Sequence, residues 1–304
     1  MNFDLDQDER ELQRGIRVIC AGRFRLEEAA GFDRDLWREL ADAGVFSLTV
    51  PESDGGLGLG MTEAVLVIEE LGRALVPGPL VGTFLARRTD DVVGLSERGS
   101  SVLEHFDVLD ELLVVDDDGL WRVEPGAVHA VPVDRPLDPL TPLHRIESLP
   151  QGERMGPADA AHMQAATLTA ALSLGIAEAT TDLAVAYAKE REQFGRPIGS
   201  FQAVKHLCAD MLVRAEVTRA AVHAAGVLLD DDDGGDGEAH RAVHAAKLLA
   251  TEAAVANGKT CIQVHGGMGF TWEATPHLFL KRAMVHATQF GGVDSHAEAM
   301  HAYL

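Results

Sequence analysis

A chain of 304 residues with 26 basic and 48 acidic side chains carries a net charge of -22. That length buries a substantial core and leaves room for more than one subdomain, while the charge favours solubility and makes nucleic acid and anionic membrane surfaces poor partners. Cys20, Cys208 and Cys261 are too few and too scattered for a metal cluster or a disulfide framework, and each sits in a helix-like apolar context, as core residues do.

The first residues, MNFDLDQDER, lack the basic start and apolar run of a signal peptide. No uninterrupted apolar run approaches a membrane span, so a soluble cytoplasmic protein is expected. Residues 4–30 read as a helix on Leu5, Leu12, Ile16, Ile19 and Cys20. Asp33 to Ala43 reads as another, with Leu36, Trp37 and Leu40 on one face and Gly44 as its stop. The segment Pro51 to Gly58 is a loop by composition. It lacks the strand–Gly–helix setting of a dinucleotide fingerprint and reads as a tight connection between helices. Thr62 begins a helix that runs to about Gly72, and Pro77, Gly78 and Pro79 break the chain before a short apolar stretch, Leu80 to Leu85.

From Val102 to Leu149 the pattern changes to short β-like runs, Leu112 to Val115, Leu120 to Val123 and Val128 to Val133. The acidic run Asp116 to Asp118 reads as a hairpin turn, since it lacks the alternating ligands and distal Glu of a calcium loop. Four prolines between Pro132 and Pro142 argue against a long helix there. Pro157 suits a helix's first turn, and an apolar stripe of Leu168, Leu172, Ile176, Leu183 and Tyr187 carries that helix to about Glu190. At ~1.5 Å per residue this is a rod of roughly 50 Å. Its Ala- and Gly-rich surface permits close helix packing. Residues 200–229 and Glu238 to Val264 give two more long helices, separated by the acidic stretch Asp230 to Gly237, read as a solvated loop. Thr275 to Ala287 and Asp294 to Leu304 give shorter ones, and the set suits an antiparallel bundle.

Between the first two long helices, Gly195, Pro197 and Gly199 interrupt the pattern and Ser200 is placed to cap the next helix. A basic Arg191 then stands at a helix end beside an exposed Phe194, with Gln202 close by. Guanidinium, aromatic plane and amide suit the phosphates, base and hydroxyls of a nucleotide. The run Arg191 to Gln202 (R-x-x-F-G-x-P-I-x-x-F-Q) resembles the C-terminal domain of acyl-CoA dehydrogenases. Gln263 to Phe270 (QVHGGMGF) resembles that family's Q-x-x-G-G-x-G-F segment, and Trp37 to Gly60 its N-terminal domain around P-E-x-x-G-G-x-G. Three blocks in the family's order cover both ends of the chain.

The resemblance implies a mainly α fold with a reduced β-domain: an N-terminal helical domain over 1–100, a small β middle over 101–152 and a C-terminal helical bundle over 153–304. It implies FAD held at a subunit interface, an acyl-CoA substrate and electron-transfer flavoprotein as electron acceptor. By the same resemblance Arg191 pairs with the pyrophosphate, Phe194 and Gln202 line the nucleotide, and Gln263 with Gly266 and Gly267 lets the backbone approach it. His265 is expected to pack or touch the nucleotide, and no metal is expected.

Two departures shape the functional reading. The β segment is too short for the family's full β-domain, and the aromatic–Thr–Glu–Pro segment that contacts flavin is not found. The catalytic base is also missing. Where many members carry it, in an aromatic–Glu–Gly segment, this chain has Phe290-Gly291-Gly292; where others carry it, ~26 residues or roughly seven turns before the Arg, it has Ala165. Neither Gly291 nor Ala165 can titrate, and Asp294 and Glu298 match neither position. The chain resembles the shortened subunits of heteromeric actinobacterial dehydrogenases of steroid degradation, in which a larger homologue supplies the base. A homo-oligomeric flavoenzyme with a base elsewhere, and an assembly protein without FAD, are the alternatives.

Overall fold

A computed structural model describes residues 5–23, 26, 31–88, 91–231 and 237–303. The N-terminal region holds α1 (Gln7–Arg23), α2 (Arg34–Asp42), α3 (Met61–Arg73) and α4 (Leu80–Ala86). Helix α1 lays Ile16 and Cys20 into the core, and residues 4, 24, 25 and 27–30 of the predicted first helix lie outside the described residues. The Asp33 carboxylate caps α2 by accepting from the amides of Asp35 and Leu36 at 2.8 and 3.3 Å. The Gly-rich loop folds back on itself, Gly58 N–H donating to the Val50 carbonyl and Leu59 N–H to Leu48, each at 2.8 Å. It is the tight connection that its composition predicts.

Seven short strands follow: β1 (Val93–Glu97), β2 (Val102–Glu104), β3 (Glu111–Asp116), β4 (Gly119–Val123), β5 (His129–Pro132), β6 (Leu143–Ser148) and β7 (Glu153–Gly156). They form two small sheets, ordered β1-β3-β4-β7 and β2-β6-β5. Strands β3 and β4 pair across the acidic turn, Asp116 opposite Gly119, and the Asp116 carboxylate accepts from the Asp118 and Gly119 amides and from the Trp121 indole. Strand β1, parallel to β3, lies outside the predicted runs, as do β2, β6 and β7. The strand-bearing segment thus runs from Val93 to Gly156, eight residues before and four residues after 101–152.

The remainder is a bundle of α5 (Ala158–Glu190), α6 (Gln202–Asp230) and α7 (Glu238–His265), with α8 (Pro276–His286) and α9 (Val293–His301) packed on α7. Helix α5 is its axis and is buried on every side from Ala165 to Thr181, where the sequence predicts only a stripe. By length and composition α5 could cross a membrane, which no apolar run suggests, yet 83% of its most apolar window is buried in the fold. Helix α3 crosses α5 at close range. A Cβ on Gly175 would stand 2.1 Å from the Glu69 carbonyl oxygen, and one on Gly72 would stand 2.3 Å from that of Leu172, so glycine is what lets the backbones touch.

Asp230 corrects the sequence reading. It ends α6 and is not loop: its carboxylate accepts from the amides of Met61 and Thr62 at 2.6 and 2.9 Å, capping α3 from 169 residues away. Residues 232–236 of the predicted linker lie outside the described residues.

Candidate functional site

The site grows from the end of the bundle where α5 stops. Tyr187 in its last turn stacks on His265 in the last turn of α7, ring centroids 4.1 Å apart. His265 Nδ1 lies 2.8 Å from the Cys261 carbonyl oxygen, so this histidine packs α5 against α7, and burial lowers its pKa. Beneath the stack Ala184, Ala188, Met211, Cys261 and Val264 make one apolar cluster with Ile198 and Leu207. That cluster joins the end of α5, the start of α6 and the end of α7.

Arg191 is the first residue beyond α5, its backbone turned to an extended conformation. A small hairpin follows, β8 (Glu192–Gln193) paired with β9 (Arg196–Pro197). It is closed by the Ile198 amide donating to the Arg191 carbonyl at 2.7 Å. Phe194 sits at its tip with φ 54° and is 91% exposed. Its ring meets Phe201 edge-on at 6.0 Å, and the Arg196 guanidinium lies 4.2 Å above the Phe201 ring. Ser200 does not cap α6. It lies in a 3-10 turn, and Phe201 takes the cap position without a side-chain bond. Gln202 is exposed, 3.5 Å from His206.

Helix α7 ends beside this hairpin. Gln263, Gly266 and Gly267 are all exposed, and a Cβ built on either glycine meets nothing within 4 Å. The backbone there is open to a ligand. Phe270 and Trp272 follow, both exposed, with Lys281 Nζ 4.7 Å above the Trp272 ring; neither stands among the sequence candidates, and their marker is aromatic exposure, which only the fold reveals. The fold therefore brings Arg191, Phe194, Gln202, Gln263, Gly266 and Gly267 to one end of the bundle. The Arg191 guanidinium forms no ion pair among the described residues. An unpaired guanidinium, a bare aromatic ring and unobstructed backbone fit the pyrophosphate and base of a nucleotide.

The two positions at which the resemblance expects a base lie elsewhere. Ala165 is fully buried inside α5. Gly291 lies in the turn after α8 with φ 93°. It borders a cavity of about 550 Å³ with Arg98, Ser100, Asp116 and Thr288, and one of about 300 Å³ with Met163, Val243, His244 and Tyr303. Asp294 and Glu298 are exposed on α9. Sequence reasoning passed over Glu104, whose carboxyl burial pushes up to about 7 and which accepts from the Gln289 amide. It borders a cavity of about 40 Å³ beside Leu172, His286 and Phe290, enough for about one water and not for an acyl chain. No group of three or more His, Cys, Asp or Glu among the described residues could hold a metal ion.

A family model described as the acyl-CoA dehydrogenase C-terminal domain matches residues 158–302, and one described as the N-terminal domain matches residues 6–87. Acyl-CoA dehydrogenase IpdE2 of Mycolicibacterium smegmatis is 35% identical over 287 residues, 89% of this chain and 88% of its own length. The chain belongs to the acyl-CoA dehydrogenase family. Acyl-CoA dehydrogenase FadE34 of Mycobacterium tuberculosis is 38% identical over 322 residues, which cover 90% of this chain but 44% of that relative, so this chain spans less than half of its length. A chain in the crystal structure of the ChsE4–ChsE5 complex from Mycobacterium tuberculosis matches the fold with a TM-score of 0.83 at 23% identity, over 99% of this chain and 98% of that one.

Proposed function

We propose that this chain is a subunit of an FAD-dependent acyl-CoA dehydrogenase. In this reading it supplies half of an interfacial nucleotide site, and a larger homologous partner supplies the catalytic base. The observation that carries it is the gathering of Arg191, Phe194, Gln202, Gln263, Gly266 and Gly267 on one exposed bundle end, while Ala165 and Gly291 leave both base positions without a titratable group. An exposed half-site encloses a nucleotide only when a second chain covers it.

When bound, the flavin would supply the hydride acceptor for α,β-dehydrogenation of an acyl-CoA, a steroid-derived thioester by likeness to the relatives. The tasks left to this chain are binding and orientation. Arg191 would give charge-assisted hydrogen bonds to the pyrophosphate, worth about 1.5–3 kcal/mol. Phe194 would cover one face of the nucleotide. The Gly266–Gly267 backbone would offer its amides at close range, and Gln202 and Gln263 would meet hydroxyl or phosphate oxygens. Electron-transfer flavoprotein would take up the electrons. An α2β2 assembly with the partner suits this division, and the ChsE4–ChsE5 complex is a heteromeric relative of the same fold.

The test is co-expression with the larger homologue, followed by flavin absorbance and turnover. The chain alone should turn over no acyl-CoA, and the complex should carry flavin that Arg191→Ala weakens. Robust turnover by the isolated chain, or unchanged flavin affinity in the Arg191→Ala complex, rejects the assignment.

A further inference from the structure

The turn at Phe290–Gly291 is held more completely than an idle loop needs. Three elements converge on it, each bonding a different backbone group. From the end of β1, the Glu97 carboxylate accepts from the Phe290 amide at 2.9 Å. From α9, His296 Nε2 donates to the Phe290 carbonyl at 2.8 Å. From α7, Lys247 Nζ donates to the Gly291 carbonyl at 3.3 Å and to that of His286, the last residue of α8, at 3.1 Å. Lys247 is fully buried, and its third donor meets Thr251 Oγ1 at 3.2 Å. An ammonium has three N–H groups, and all three have acceptors. Burial lowers its pKa to about 8, so its place in the core comes at a free-energy cost that these bonds offset.

His296 is itself fixed at both ring nitrogens. Its Nδ1 lies 2.8 Å from His244 Nδ1. Because Nε2 carries the proton donated to Phe290, Nδ1 is the acceptor and His244 the donor. The bonded turn takes φ values of 49° at Phe290 and 93° at Gly291. A Cβ at position 291 would stand 2.7 Å from His296 Nε2 and 3.0 Å from Ser295 Oγ. The ring cannot yield without giving up the Phe290 or His244 bond, and an L side chain at φ 93° is strained whatever the space.

We infer that the Phe290–Gly291 turn is a locked position: Glu97, Lys247 and His296 act as positioning residues that exclude any side chain at 291. The missing base is therefore a built feature of the fold that a single substitution does not reverse. This rests on the proposed reading that another chain supplies the base, and explains why that supply is obligatory.

The test compares Gly291→Glu, His296→Ala, the double variant and Lys247→Met in the full chain, without flavin or partner. Gly291→Glu should lower the Tm by more than about 5 °C. On the His296→Ala background the same change should cost measurably less, because the blocking ring is gone while the strain at φ 93° and the Ser295 contact remain. Lys247→Met should raise amide exchange at residues 288–292 at least tenfold while leaving α3 and α5 protected, which a general loss of core packing would not do. A Gly291→Glu protein with the wild-type Tm overturns the inference, as does a full penalty on the His296→Ala background or exchange that rises evenly through the bundle. Failure of the flavin assignment would leave these readouts untouched, so the two claims fail separately.

Discussion

Arginine does opposite work in two regions of this molecule. Where α3, α5 and α6 cross, Arg73 and Arg219 bracket the Glu178 carboxylate, at 3.2 and 2.9 Å, and Arg73 also reaches Asp182. Arg17 holds Glu70, and His223 lies 2.8 Å from Glu69. Glu69, Glu70 and Glu178 are buried, and every charge there has a partner. At the bundle end Arg191 is exposed and without an ion pair among the described residues, beside a bare phenylalanine and open glycine backbone. The contrast is one of satisfaction: an arginine bonded to a buried carboxylate has its donors occupied within the fold, whereas an exposed one without an ion pair still has donors to give.

The comparison breaks most severely where the crossing is tightest. Gly175→Leu should fail to fold or lose more than about 4 kcal/mol, since its Cβ would collide with the Glu69 carbonyl and the Arg73 amide; chemical denaturation measures this, and a near-wild-type midpoint would refute the close approach. Glu178→Ala should cost about 3 kcal/mol, because it leaves two guanidinium groups without their shared carboxylate. A loss under about 1 kcal/mol would place that network at the surface in energetic terms.

A smaller effect is read in pH. Burial pushes Glu69 up to about 7, and burial together with the neighbouring Glu69 charge pushes Glu178 up to about 8, so the two carboxyls titrate as a pair that the arginines only partly offset. Glu70, Arg17, Arg73, Arg219 and His223 face the pair, and burial lowers His223 to about 4, so it stays neutral. Two carboxylates in contact cannot both ionise cheaply. A raised folded-state pKa contributes stability that is complete below the unfolded value and lost as pH rises through the folded one. Wild-type stability should therefore decline from about pH 5 to pH 8, and Glu69→Gln should flatten the decline. A variant with the wild-type slope removes Glu69 from the linkage. Arg191→Ala has the smallest structural effect, within about 0.5 kcal/mol in denaturation, because its guanidinium forms no ion pair among the described residues. A large loss of stability there would move Arg191 from recognition to framework.

The sequence by itself determined the helices and their order, because apolar periodicity, proline breaks and glycine stops are local signals. The long helices from Ala158, Gln202 and Glu238 begin and end within about two residues of their predicted bounds, and the hairpin across Asp116 to Gly119 follows from turn chemistry alone. The residues proposed for the nucleotide site were legible as motifs, as were the two positions at which the resemblance expects a base and finds none. Only the tertiary structure decided which groups meet. Asp230 reads as part of an acidic loop, yet caps α3 across 169 residues. Glu104 sits on a three-residue strand, and only its burial in the folded chain, beside Leu172, His286 and Phe290, pushes its carboxyl up to about 7. Lys247 looks like a surface lysine of an amphipathic helix until the carbonyls of His286 and Gly291 close around it. Local sequence fixes backbone conformation through short-range sterics and hydrogen bonding, whereas burial and pairing of charge depend on contacts between residues far apart in the chain, and no local pattern encodes those.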